Sequence, residues 1–182
     1  MNPVLIAIIA TVVILVGYII SLSNRLNKAR VKIEEAGSDI DVSLTKRYDV
    51  LTKMIDVVKS YAKYEKETIF ETVRIRQGMT MQEKNEANRA MGENLEKIHI
   101  LAEHYPDLKA SANYNTLQKA IADVEEHLQA SRRLYNANVS RYNQMIAAFP
   151  TSLVASLRGL GKEEFFSAEE SNRQDVKLDL EL

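Results

Sequence analysis

Three aspartates, Asp39, Asp41 and Asp49, and three histidines, His99, His104 and His127, are the side chains best suited to hold a metal or move a proton. Their spacing decides what they can do. Asp39 and Asp41 are two residues apart, which on a helix turns them about 200° from each other, so one intact helix cannot present both to a single ion. Solvated faces or salt bridges to Lys46 and Arg47 are the expectation for them. His99 and His104 are five apart, about 140° around a helix, and form no HExxH-type pair. Cysteine is absent, which excludes disulfides and thiolate metal sites. No serine lies in a nucleophile-elbow sequence. Neither a GxGxxG nor a GxxxxGKS/T phosphate loop occurs. The expectation is therefore no catalytic, cofactor-binding or metal-ligating set, and no enzyme.

The elements around these residues are legible from charge and periodicity. From Asn2 to Asn24 no side chain is charged, and Val4 to Leu22 is almost continuously apolar. About twenty such residues cross a bilayer core as a helix. No Lys or Arg precedes the run and no small-x-small site follows Tyr18, so a retained anchor is expected rather than a cleaved signal peptide. Arg25, Lys28, Arg30 and Lys32 follow before the first acid, Glu34. The positive-inside rule then places the N-terminus outside and the domain in the cytoplasm of a single-pass protein. The same four cations are placed to touch anionic lipid headgroups. The net charge of −1 argues against a nucleic-acid partner.

With six Gly and three Pro among 182 residues, helix is expected throughout. Leu44, Tyr48, Leu51, Ile55, Val58 and Ala62, with Ile69 a heptad later, draw an apolar seam along a first helix running to about Gln77. Gly78 suits its C′ position, and Thr80 with Glu83 fits a capping box that starts a second helix. That helix carries Ala87, Met91, Asn94, Ile98, Leu101 and Tyr105 at steps of four and three, and Pro106 ends it. In a third helix Tyr114, Ile121, Leu128, Tyr135, Tyr142 and Phe149 repeat every seven residues, which implies a left-handed supercoil. Leu117, Val124 and Met145 form its companion seam, interrupted by Ser131 and Asn138, either of which suits a buried tyrosine hydroxyl. Pro150 stops it, and Thr151 or Ser152 is expected to cap a short helix ending near Gly159. Residues 167–182 are polar and charged and are expected to be a disordered tail.

Helix lengths lead to one further expectation. The first helix runs roughly 80 Å from Arg25 to Gln77, and the second returns only about 37 Å. Folded back antiparallel from Gly78, it covers the first helix to around Lys53. Ile33, Ala36, Ile40 and Leu44 then form an uncovered apolar face, with Gly37 permitting close approach. Such a stripe reads as an interaction surface between copies, making a homo-oligomer. Cover by the short helix after Pro150, or by the bilayer surface, is the alternative.

AGSDIDVSLTKRYDVL, VVKSYAKYEKET, LAEHYPDLKASANYNTLQ and ASRRLYNANVSRYNQMIAAFP occur in this order and resemble the LemA family of bacterial membrane proteins. The similarity runs from Arg25 to about Phe166. The chain departs from the family pattern at Gly37-Ser38, where members usually carry Trp before the Ser. The resemblance implies an all-α fold, with a single N-terminal transmembrane helix continuing into an antiparallel bundle of long helices. The chain then divides into an anchor (1–24), a helical-bundle domain (25–166) and the tail (167–182). The resemblance brings no activity, cofactor or catalytic residue. It associates the chain with membrane proteins that carry a TPM domain and with membrane zinc proteases, and, through a magnetosome-associated relative, with membrane organisation. The expected function is a membrane-anchored scaffold or adaptor that self-assembles or recruits proteins at the cytoplasmic face of the bacterial cell membrane. A membrane-shaping protein is one alternative. Another is a regulator or enzyme with a metal site assembled between subunits.

Overall fold

The computed structural model describes residues 2–61, 75–76 and 78–167. The regular elements among them are helices: α1 (Pro3–Tyr61), α2 (Met81–His104), α3 (Pro106–Ala110), α4 (Ala112–Ala147) and α5 (Thr151–Leu157). The protein is all-α, as its seams and few helix breakers require. Ala62 and Ile69, the end of the first helix to Gln77, and the tail from residue 168 lie outside the described residues. The chain forms two compact units: the chain up to Ser38 with Arg133–Phe165, and Asp39–Arg132 with the chain from Phe166.

In the second unit the apolar seams close on one another. Leu51, Met54, Ile55 and Val58 of α1, Ala87, Met91 and Ile98 of α2, and Tyr114, Ile121 and Leu128 of α4 are all buried. The start of α2 is locally encoded. Gly78 has φ +82°, and the Glu83 amide donates to the Thr80 hydroxyl at 3.2 Å. In return the Thr80 amide donates to the Glu83 carboxylate at 2.6 Å, which holds that carboxyl below its usual range.

The direction of α2 differs from the expected hairpin. Lys84 reaches Asp41 at 2.6 Å, and Arg47 donates to the Asn88 carbonyl at 2.7 Å. Positions thus rise together along the two helices, and α2 lies parallel to α1. It begins beside Asp41 instead of folding back from the far end of α1. The antiparallel partner of α1 is α4, which brings Glu125 to Arg47 and both Ser131 and His127 to the level of Asp39 and Ser43.

This arrangement removes the uncovered stripe. Ile40 and Leu44 are fully buried within the second unit, where Asp41 and Arg47 beside them are already tied to α2 and α4. Ile33 and Ala36 are buried within the first unit. A Cβ on Gly37 would sit 3.7 Å from the Tyr135 ring, so the close approach there is made by the chain's own α4. Ile33, Ala36, Ile40 and Leu44 are therefore core positions, with Gly37 half-buried beside Tyr135, rather than an exposed surface. α2 reaches this part of α1 because it starts beside Asp41 and does not pair back from the far end of α1.

In the first unit, Leu22, Leu26, Ile33 and Ala36 of α1 are buried together with Tyr135, Val139 and Tyr142 of α4 and Val154 and Ala155 of α5. α5 ends in a Schellman motif: Leu160 N–H bonds the Ala155 carbonyl at 3.0 Å, Gly159 N–H bonds that of Ser156 at 3.1 Å, and Gly159 has φ +63°. The chain then returns along α4. Asn143 exchanges two hydrogen bonds with the Glu163 backbone, and the Tyr135 hydroxyl donates to the Glu164 carbonyl at 3.1 Å. The Tyr135 hydroxyl thus finds backbone and the Tyr114 hydroxyl accepts from the Gln118 amide at 2.6 Å, in place of Ser131 or Asn138. Phe149 breaks the heptad series: α4 stops at Ala147, and this ring is 81% exposed.

Burial, reinforced by Glu163 and Glu164, pushes the Tyr135 hydroxyl up to about 12. The folded protein keeps this proton while an unfolded tyrosine, near pKa 10, releases it. Its contribution to stability is complete below about pH 10 and is lost as pH rises toward 12. Melting temperatures are expected to fall more steeply over that range in the wild type than in Tyr135→Phe. Parallel slopes would remove this residue as the cause.

Candidate functional site

Arg25, Lys28 and Lys32 recur at steps of three and four, so they share one face of α1. The facing stretch of α4 runs the other way, its register fixed where the Asn138 amide donates to the Lys32 carbonyl at 3.0 Å. Asn138, Arg141 and Met145 follow the same spacing and face the α1 cations. With Ala29, whose small side chain leaves room, these residues line an open cavity of about 270 Å³. Four of its lining residues are cations and none is a carboxylate. Such a cleft favours an anion, with Ala29 and Met145 as an apolar wall.

Three of the four cations expected at the membrane surface meet in this cleft. The fourth, Arg30, lies 3.8 Å from Glu163. Arg141 was not singled out from the sequence, although its spacing from Asn138 and Met145 marks a face adjoining the Tyr135–Tyr142 seam. Beside the cleft, Arg158 fastens α5 to α1, donating at 2.9 Å to the Ser23 hydroxyl and at 2.9 Å to the Asn27 side-chain carbonyl. Burial and Glu163 raise the Tyr142 hydroxyl, against the opposing effect of Arg30 and Arg158.

The acid and histidine candidates are placed otherwise. Asp41 pairs with Lys84 of α2, and Arg47 donates to Glu125 of α4 at 2.6 Å, so neither makes the expected contact along α1. Asp39 lines a second cavity, of about 230 Å³, with Lys46, Asp123 and His127. His127 bonds the Asp123 carbonyl of its own helix at 2.8 Å, and His104 that of Ile100 at 2.8 Å. Among the described residues no three His, Asp or Glu side chains converge as a metal site would require.

Comparison with known proteins gives a family. The profile described as the LemA family matches residues 36–180. Protein LemA of Metamycoplasma hominis is 29% identical over 162 residues, which covers 84% of this chain and 72% of that protein. Magnetosome protein MamQ of Magnetospirillum gryphiswaldense is 25% identical over 80 residues, 44% of this chain but 29% of its own length. Magnetosome protein MamQ 2 of Paramagnetospirillum magneticum is 26% identical over the same shares. The similarity to the magnetosome proteins thus spans less than a third of their length.

Proposed function

Because this chain belongs to the LemA family and carries a helix long and apolar enough to cross a membrane, we propose that it is a membrane-anchored helical scaffold or adaptor, without a reaction of its own, holding proteins at the cytoplasmic face of a bacterial cell membrane. The family and the helix both suggest membrane association. The observation that carries the reading is α1 itself. It is one unbroken helix, unburied along its apolar N-terminal window and part of the protein core from Leu22 onward. An apolar surface of that length left bare in water is costly, and a bilayer core is the environment that matches it. The orientation rests on the basic flank, all of which follows the span. Self-assembly remains part of this reading, although not through Ile33, Ala36, Ile40 and Leu44, which the chain itself covers.

Protease added outside intact cells is expected to cleave nothing beyond Leu22; digestion of the helical domain from that side overturns the orientation. Crosslinking in native membranes, followed by sizing, should give discrete species larger than one chain. Recovery of single chains alone overturns the scaffold.

A further inference from the structure

We propose that the basic cleft between α1 and α4 binds the phosphate headgroup of an anionic phospholipid, while Phe149, Leu153 and Leu157 sit in the same leaflet. This rests on the reading that Val4–Leu22 spans the bilayer. Position along α1 sets the depth. Arg25 and Lys28 lie about 5 and 9 Å beyond Leu22, at 1.5 Å per residue. The headgroup layer of a leaflet is roughly 5–8 Å thick. The two side chains thus start within or just above the phosphates, and Lys32, a turn further out, is long enough to reach back toward them.

The opposite wall converges on the same depth. From Asn138, bonded to Lys32, α4 descends toward the membrane. Phe149 is eleven residues further along that direction, and eleven residues back from Lys32 is Ser21, at the end of the apolar run. Phe149 is 81% exposed there and Leu157 86%, with Leu153 exposed as well. Arg158, next to Leu157, holds Ser23 and Asn27, which keeps α5 at the exit of the span. Three bare apolar side chains level with the bilayer boundary, beside four cations lining a cleft without a carboxylate, match a phospholipid along its length. A free anion would account for the cations alone.

The test uses full-length protein purified in mild detergent and offered an equal mixture of phosphatidylglycerol and phosphatidylcholine. Retained lipid is measured by mass spectrometry. The wild type should keep the anionic lipid over the zwitterionic one by about tenfold, and a triple variant, Arg25→Gln with Lys28→Gln and Arg141→Gln, should lose that preference at unchanged circular dichroism. No preference in the wild type, or its survival in the variant, overturns the site. Displacement of the bound lipid by millimolar inorganic phosphate identifies a free-phosphate site and overturns the lipid as its occupant. The chain has no Trp, so Phe149→Trp supplies a single depth reporter. Its fluorescence in vesicles should be quenched by bromine on the acyl chains, and absence of quenching overturns the seating of this corner. Release of the full-length protein from vesicles by alkaline carbonate overturns the anchor itself and the inference with it. Retention without lipid preference overturns the inference alone.

Discussion

Arg47→Met is expected to destabilise the helical domain by about 3 kcal/mol, the lower end of what breaking a buried ion pair costs. Arg47 is 2% exposed, on the α1 face that meets both α2 and α4. Its Nε donates to Glu125 at 2.6 Å, and its Nη1 donates to the Asn88 carbonyl at 2.7 Å and to the Asn88 side-chain oxygen at 2.6 Å. Methionine fills a similar volume but withdraws the cation from a carboxylate and from two acceptors on a buried asparagine. Glu125 keeps a third of its side chain in contact with water, which limits the penalty. For a chain of this size the loss corresponds to a melting temperature lower by roughly 10 °C. Arg47→Lys should not restore it, because one ammonium cannot reproduce the fork that serves two helices. The double variant Arg47→Met with Glu125→Met should recover part of the loss, since the lone carboxylate is then gone as well. Urea unfolding of the three variants measures this; a single variant with the wild-type midpoint would mean that Arg47 merely fills space.

Much of the core was legible because it is periodic. Ile121, Leu128, Tyr135 and Tyr142 recur every seven residues, and a helix that keeps this period has one face to bury. The Thr80–Glu83 box was legible because both of its bonds lie within four residues. Contacts that join distant parts of the chain were not. The pairing of Lys84 with Asp41 depends on where α2 starts relative to α1, and no local signal states this. The heptad carried Phe149 into the core on paper, whereas the helix stops before it. The cleft shows both cases. Arg25, Lys28 and Lys32 stand out by their place after the apolar run. Arg141 joins them only through antiparallel packing, and Arg30 leaves them for Glu163, a residue that returns from beyond α5.

The double variant Ile40→Lys with Leu44→Lys is expected to abolish cooperative folding of the domain rather than alter its assembly. Both side chains are fully buried, and they lie one turn apart on the same face of α1. Losing each apolar side chain from the core removes about 1.5–3 kcal/mol. Each ammonium must also be buried at a cost of several kcal/mol or give up its proton. Together these terms match or exceed the roughly 5–15 kcal/mol that a native domain has to lose. Val42 provides the control, since it lies between the two positions on the same helix and is exposed. Val42→Lys should melt like the wild type. Circular dichroism and sizing in mild detergent separate the two ways in which the stripe can matter. A double variant without a cooperative transition places Ile40 and Leu44 in the core of a single chain. A double variant that melts like the wild type but runs at a smaller size would instead make the stripe an interface between copies, and the packing of α2 and α4 over α1 would be wrong.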